Sequence, residues 1–217
     1  MKFDRKSLLL YAITDRTWLG DKKLKDEVEK VLQAGATFLQ LREKHLDKEQ
    51  FLQEAKEIKK LTDQYQVPFV INDHVEVAIE CKADGVHVGQ SDMQARDIRR
   101  MLGPDKIIGV SARNVEQARK AKESGADYIG VGAVFGTATK KDADYVSLEE
   151  LKNICASVDI PVVAIGGIHE NNLMQLKGSG IDGISVISAI FAKPDVAEAT
   201  RNLLTLVQTM KAGQEEL

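Results

Sequence analysis

Eight short apolar runs recur along the chain, and this recurrence constrains the fold more than any other feature. They occupy 8–14, 38–42, 68–72, 85–88, 106–111, 128–131, 161–165 and 183–187. Each leads into a stretch with helical spacing, such as Leu24, Val28, Val31 and Leu32, or Phe51, Ala55, Ile58 and Leu61. A run that is apolar throughout, rather than at alternate positions, suits a strand covered on both faces, as in a parallel sheet flanked by helices. Eight such units without a break in composition predict a closed (β/α)₈ TIM barrel of the α/β class rather than an open doubly wound sheet. The 217 residues are read as a single domain, 1–217, with a polar tail from about 210 that frays.

An internal repeat points the same way. Gly35, Gly125 and Gly180 fall just before the second, sixth and eighth runs, where a helix must end in a left-handed turn, and Lys82-Ala83-Asp84 precedes the fourth. Recurrence before every second strand, roughly every 45 to 55 residues, suggests a repeated (βα)₂ unit, although convergent loop chemistry would give the same architecture.

Composition removes several classes of function. With 43% hydrophobic residues the chain can bury a sizeable core, and disorder is excluded. A net charge of −3 argues against nucleic-acid binding through a broad basic surface. The two cysteines, Cys81 and Cys155, lack metal-ligand spacing and read as reduced structural thiols. The run at 8–10 is far too short to span a bilayer, so a cytoplasmic enzyme is the expectation.

In this fold, function lies in the loops that leave the strand C-termini. Strand two ends Gln40-Leu41-Arg42-Glu43-Lys44, and alternation would turn Gln40, Arg42 and Lys44 to one side of the barrel mouth. Strand three ends Asn72-Asp73, strand four leads into Asp92, and strand five ends in Ser111. The loop after strand six carries Thr137, Ala138, Thr139, Lys140 and Lys141. Gly166-Gly167 after strand seven would let backbone approach a phosphate, and a short helix after Ile187-Ser188 would aim N–H groups and its dipole at that anion. A tight turn chosen for steric reasons is the plainer alternative.

Asp73 and Asp92 admit two readings from the residues alone. Two carboxylates near a polyphosphate call for a divalent cation between them, and Mg²⁺ takes one or two carboxylates plus phosphate oxygens and water. Alternatively, each caps the helix that follows it. Arg42, Lys44 and Lys140 are likewise either anion ligands or solvated charges. His87 lies inside strand four, where a packed, hydrogen-bonded role is favoured over that of a base.

Taken together, these segments resemble the thiamine phosphate synthase family. The likeness rests on Gln40-Leu41-Arg42-Glu43-Lys44, Ile71-Asn72-Asp73, the stretch 85–93, Ile108-Gly109-Val110-Ser111, Tyr128 to Gly132, 137–143 and Ala164 to Ile168, in order on seven successive strand ends. The resemblance implies an enzyme that couples a hydroxymethylpyrimidine pyrophosphate to a thiazole phosphate and releases pyrophosphate. It implies that Gln40, Leu41, Arg42, Glu43, Lys44 and Asn72 hold the pyrimidine substrate and that Asp73 and Asp92 bind Mg²⁺. Ser111 and Lys140 would join Arg42 and Lys44 on the pyrophosphate. Thr137, Ala138 and Thr139 would meet the thiazole phosphate, with Gly167, Ile187 and Ser188 completing its cradle. The implied partners are these small molecules, not nucleic acid or membrane, and a homo-oligomer is compatible with them.

The chain departs from the family pattern at His74, at Arg113-Asn114, and at Ala133 and Gly136, where prolines are common. Two other readings stand beside the synthase. A thiazole tautomerase-like barrel would share the phosphate cradle but not need the Arg42, Lys44, Asp73 and Asp92 cluster. A non-catalytic sensor of thiamine precursors would bind without turnover.

Overall fold

In a computed structural model, described over residues 4–89, 95–136 and 145–212, the chain closes into a barrel of eight parallel strands. The strands are β1 (Leu10–Ile13), β2 (Phe38–Leu41), β3 (Phe69–Asn72), β4 (Gly85–Val88), β5 (Ile107–Ala112), β6 (Tyr128–Val131), β7 (Val162–Ile165) and β8 (Gly183–Val186). They pair in chain order, and β8 returns to β1 with Tyr11 opposite Ser185. Each of the eight apolar runs coincides with one strand, β5 extending one residue beyond its run. The surrounding helices are α1 (Leu24–Gln33), α2 (Lys48–Tyr65), α3 (Val75–Glu80), α4 (Ala95–Leu102), α5 (Val115–Glu123), α6 (Leu148–Ser157), α7 (Ser188–Phe191) and α8 (Val196–Ala212).

Period-two alternation sorts the strand side chains into two layers. Leu39, Ile71, Val86, Ile108, Ile129, Ala164 and Ile184 face outward and join helix residues such as Val28, Ile58, Ile98 and Leu203 in the larger core. Leu8, Tyr11, Ile13, Phe38, Val70, Ile107, Tyr128 and Val163 fill the barrel. Interior space is tight there. A Cβ on Gly109 would stand 2.1 Å from the Tyr128 ring, so the glycine on β5 makes room for the tyrosine on β6.

The suspected repeat has a hydrogen-bond basis. Thr37, Asp84, Asp127 and Asp182 enter β2, β4, β6 and β8, and each side chain accepts the backbone N–H of Leu10, Phe69, Ile108 or Val162 on the preceding odd strand. Each also donates its own N–H to that residue's carbonyl. The same clip therefore joins odd to even strand four times. Before three of the clips a glycine takes positive φ, and before the fourth Lys82 does so at 59°. A lysine is strained in that region, and the turn is held by Lys82 N–H to Ile79 O and Ala83 N–H to Ala78 O.

One connection and the C-terminal segment differ from the sequence expectation. Between β7 and β8 the chain forms only a 3₁₀ turn, Leu173–Leu176, where a helical stretch was expected. Asn172 accounts for this: its side chain accepts the His169 N–H and donates to Gly167 O, local bonds that compete with a helix. At the other end, the tail expected to fray from 210 stays helical through Ala212, because Met210 is fully buried and Lys211 Nζ donates to Ile181 O. No helix among the described residues is long and apolar enough to cross a membrane. Both cysteines are free, and burial raises the Cys81 thiol and pushes Cys155 up to about 12, which keeps them protonated and unreactive.

Candidate active site

A cavity of about 960 Å³ opens at the C-terminal ends of the strands. Gln40, Arg42, Glu43 and Lys44 line it from β2, Asn72 and Asp73 from β3, and Ser111 from β5. Gly167, Ile187 and Ser188 line it from the ends of β7 and β8. Leu41 instead points outward and is fully buried in the layer between barrel and helices. Asp92, Thr137, Ala138, Thr139 and Lys140 lie outside the described residues, as does Lys141.

Arg42 is the buried cation of this mouth. Its backbone N–H donates to Thr14 Oγ1, and Nη1 lies 3.4 Å from Asp15 Oδ2, with the Arg42 side chain 8% exposed. Asp15 also caps the turn that follows β1 by accepting the Thr17 N–H, so its carboxylate is fixed from two sides. A guanidinium this buried, with one long ion pair, is incompletely neutralised. An anionic ligand in the cavity would offset that charge and accept its remaining N–H groups.

At the end of β3 the backbone of Asp73 takes a left-handed conformation, φ 61°, uncommon for a residue with a side chain. Its N–H is held by His87 O at 2.9 Å, and Asn72 Nδ2 donates to its Oδ2 at 2.6 Å. The N-cap position of α3 belongs to His74, without a side-chain cap bond, so Asp73 does not serve as the helix cap that its place in the sequence allowed. Such a turn sets one carboxylate at the cavity rim. One or two carboxylates completed by phosphate oxygens and water are a donor set that suits Mg²⁺. Among the described residues no three His, Cys, Asp or Glu gather into a closed cage, a set Mg²⁺ does not require.

Beneath the rim runs a chain of hydrogen bonds. Gln40 Nε2 donates to the Tyr11 hydroxyl, which lies 2.8 Å from the Tyr128 hydroxyl. The Tyr128 hydroxyl is 2.9 Å from His87 Nδ1, and His87 Nε2 is 3.0 Å from Ser111 Oγ. With Gln40 donating first, an order in which Tyr11 donates to Tyr128 and Tyr128 to Nδ1 turns the His87 Nε2 toward Ser111. Burial raises both phenols far above the usual tyrosine range, so these links stay uncharged. His87 is thus the packed, hydrogen-bonded histidine expected of a strand position.

Glu43 faces a different set of partners. Its carboxylate lies 2.6 Å from Arg16 Nε, and Arg16 also pairs with Glu54 on α2. Desolvation pushes the Glu43 carboxyl up to about 7, the nearby Glu54 adds to the rise, and Arg16 opposes it. Gly166 and Gly167 take φ 99° and 64°. A Cβ on Gly167 would stand 2.4 Å from Gly136 O, so glycine there lets the loops after β6 and β7 lie against each other. The short helix α7 starts at Ser188 on the same rim, with the Ile190 and Phe191 N–H groups bonded back to Ile187 O.

Four residues escaped the sequence reading: Tyr11, Asp15, Tyr128 and Ser185. Tyr11 and Tyr128 sit inside apolar runs where a tyrosine passes as a core residue, yet a polar atom at an inward position of a barrel strand was a usable signal. Trp18 and Phe135, the aromatic residues of the loops after β1 and β6, are not among the residues that line the cavity.

Residues 10–190 match the thiamine monophosphate synthase family. The thiamine-phosphate synthase of Clostridium tetani is 50% identical over 194 residues, 89% of this chain and 93% of that protein. That of Methanobrevibacter smithii is 49% identical over 197 residues, 91% and 94% of the two chains. Among solved structures, the thiamine phosphate pyrophosphorylase from Pyrococcus furiosus superposes with a TM-score of 0.88 at 40% identity, covering 95% of this chain and 98% of its own.

Proposed function

The chain belongs to the thiamine phosphate synthase family, and on that premise we propose that its barrel mouth joins a hydroxymethylpyrimidine pyrophosphate to a thiazole phosphate. The observation that carries this reading is the convergence of Gln40, Arg42, Lys44, Asn72, Asp73 and Ser111 on one cavity that Gly167 and Ser188 also line. A cationic, hydrogen-bonding wall suits a diphosphate, and a glycine turn beside a helix start suits a single phosphate.

In the proposed reaction the bond from the pyrimidine methylene to the pyrophosphate oxygen breaks, and the electron pair leaves with pyrophosphate. The methylene remains as a ring-stabilised cation, and the lone pair of the thiazole nitrogen forms the new C–N bond. No proton has to move, so the reaction asks no nucleophile or general base of the cavity, and the Ser111 hydroxyl beside His87 is left to serve as a hydrogen-bonding group. Asp73 and Asp92 would hold Mg²⁺, which when bound neutralises charge on the leaving diphosphate. Arg42, Lys44 and Lys140 would supply fixed positive charge to the same oxygens, and Ser111 a hydrogen bond. Gln40 and Asn72 would hold the pyrimidine. Thr137, Thr139, Gly167, Ile187 and Ser188 would seat the thiazole phosphate, and the 132–141 loop would exclude water from the cation.

The test is direct. Purified protein incubated with both phosphorylated heterocycles and Mg²⁺ should yield thiamine phosphate and free pyrophosphate in equal amounts. Binding of both substrates without either product would overturn the reading.

A further inference from the structure

Ser185, in the middle of β8, is 2% exposed, lines the cavity floor, and its Oγ has no hydrogen-bond partner among the described residues. It alternates with Ile184 and Val186, which belong to the outer core, and stands in register with Tyr11 on β1 and Ile165 on β7. Buried hydroxyls are nearly always paired, and an orphan weakens the fold that contains it. A valine would suit a strand at this position and would strand no polar atom. The fold therefore gains nothing visible from the serine, which points to a ligand.

The surroundings narrow the class of ligand. Ile13, Val163 and Ile165 line the floor nearby, and Tyr11 packs against Phe38 with ring centroids 4.6 Å apart. Gln40 lies on the other side of β1 from Ser185, because Ile13 pairs with Gln40 across β2 while Tyr11 pairs with Ser185 across β8. Gln40 spends one amide N–H on Tyr11 and keeps a second N–H and a carbonyl. The floor thus offers apolar contact flanked by a carboxamide and a hydroxyl. That pattern fits a flat heteroaromatic ring with apolar faces and polar edges. A phosphate fits poorly at this depth, since Ser185 lies within the strand, before the Ile187-Ser188 rim.

We propose that Ser185 is a further substrate-binding residue, its hydroxyl bonding one edge of the aminopyrimidine ring while Gln40 takes another. This rests on the synthase reading for the identity of the ring. A serine hydroxyl serves either a ring nitrogen, by donating, or an exocyclic amine, by accepting.

Two readouts on Ser185→Ala test the contact. Calorimetric affinity for the pyrimidine pyrophosphate, without the thiazole substrate, should fall about tenfold, as loss of one hydrogen bond implies. In turnover, KM for that substrate should rise while kcat and the KM for thiazole phosphate stay within about twofold. The melting temperature of the ligand-free protein should hold or rise, since the variant removes an orphan group. Unchanged pyrimidine affinity, with wild-type turnover intact, overturns the contact alone. A clear drop in melting temperature overturns it as well, because the hydroxyl would then be serving the fold. If the wild type binds the pyrimidine without turnover and Ser185→Ala weakens that binding, the synthase reading fails and the contact is supported.

Discussion

His87 Nε2 lies 3.0 Å from Ser111 Oγ, and through Tyr128 and Tyr11 that contact reaches Gln40 across the barrel. Two groups read as substrate ligands are thereby tied to one another beneath the cavity. On the proposed reading of Ser111 and Gln40, His87 and Tyr128 would act as positioning residues.

Tyr128→Phe removes the middle link while keeping the ring that packs on Phe38. We expect kcat/KM to fall about tenfold, the scale of one misplaced hydrogen bond. The imidazole should also lose its tautomer preference, since Nδ1 no longer accepts a hydrogen bond. Nitrogen chemical shifts of His87 report this independently of activity. A variant with wild-type kcat/KM and an unchanged tautomer would show that the chain only fills the barrel.

Asp73→Asn isolates charge from shape. Asparagine tolerates φ 61° about as well as aspartate, so the turn after β3 should persist. If Asp73 holds Mg²⁺, turnover should drop about a hundredfold, the usual scale for loss of charge stabilisation. The Mg²⁺ concentration for half-maximal rate should rise as well. An unaltered Mg²⁺ dependence would move the metal away from β3.

Gly167→Val confronts two obstacles at once. The residue needs φ 64°, which a β-branched side chain resists, and its Cβ would meet Gly136 O at 2.4 Å. The loops after β6 and β7 should separate, with a stability loss of about 1–3 kcal/mol. Thiazole-phosphate affinity, measured by calorimetry, should weaken at least tenfold. Retained affinity would show that the cradle does not depend on this turn.

The pH dependence of stability should carry the mark of Glu43. Its carboxyl rises from an ordinary 4.5 to about 7, chiefly through desolvation, so the folded state binds this proton more tightly than the unfolded chain. That contribution is complete below pH 4.5, fades through the interval to about 7, and is absent above it. Glu43→Gln never ionises. Its melting temperature relative to wild type should therefore be more favourable at pH 8 than at pH 5, by on the order of 1–3 kcal/mol, or several degrees. An equal gap at both values would refute the shift.

Much of this molecule was legible in the one-dimensional pattern. The eight apolar runs, the glycines before β2, β6 and β8, and the strand-end positions of Arg42, Asp73, Ser111 and Gly167 all follow from local rules. Short-range periodicity decides whether a segment is a strand or a helix, and in this barrel the end of a strand is also the edge of the site. Closure of the barrel decided the rest. Tyr11 and Tyr128 are 117 residues apart and meet because β1 and β6 point side chains into one interior. Arg42 finds Asp15, and Ser185 comes to flank Tyr11 opposite Gln40, because β1 pairs with β2 on one side and with β8 on the other. Which inward polar groups touch depends on the stagger between strands far apart in the chain, and no window of sequence contains that distance.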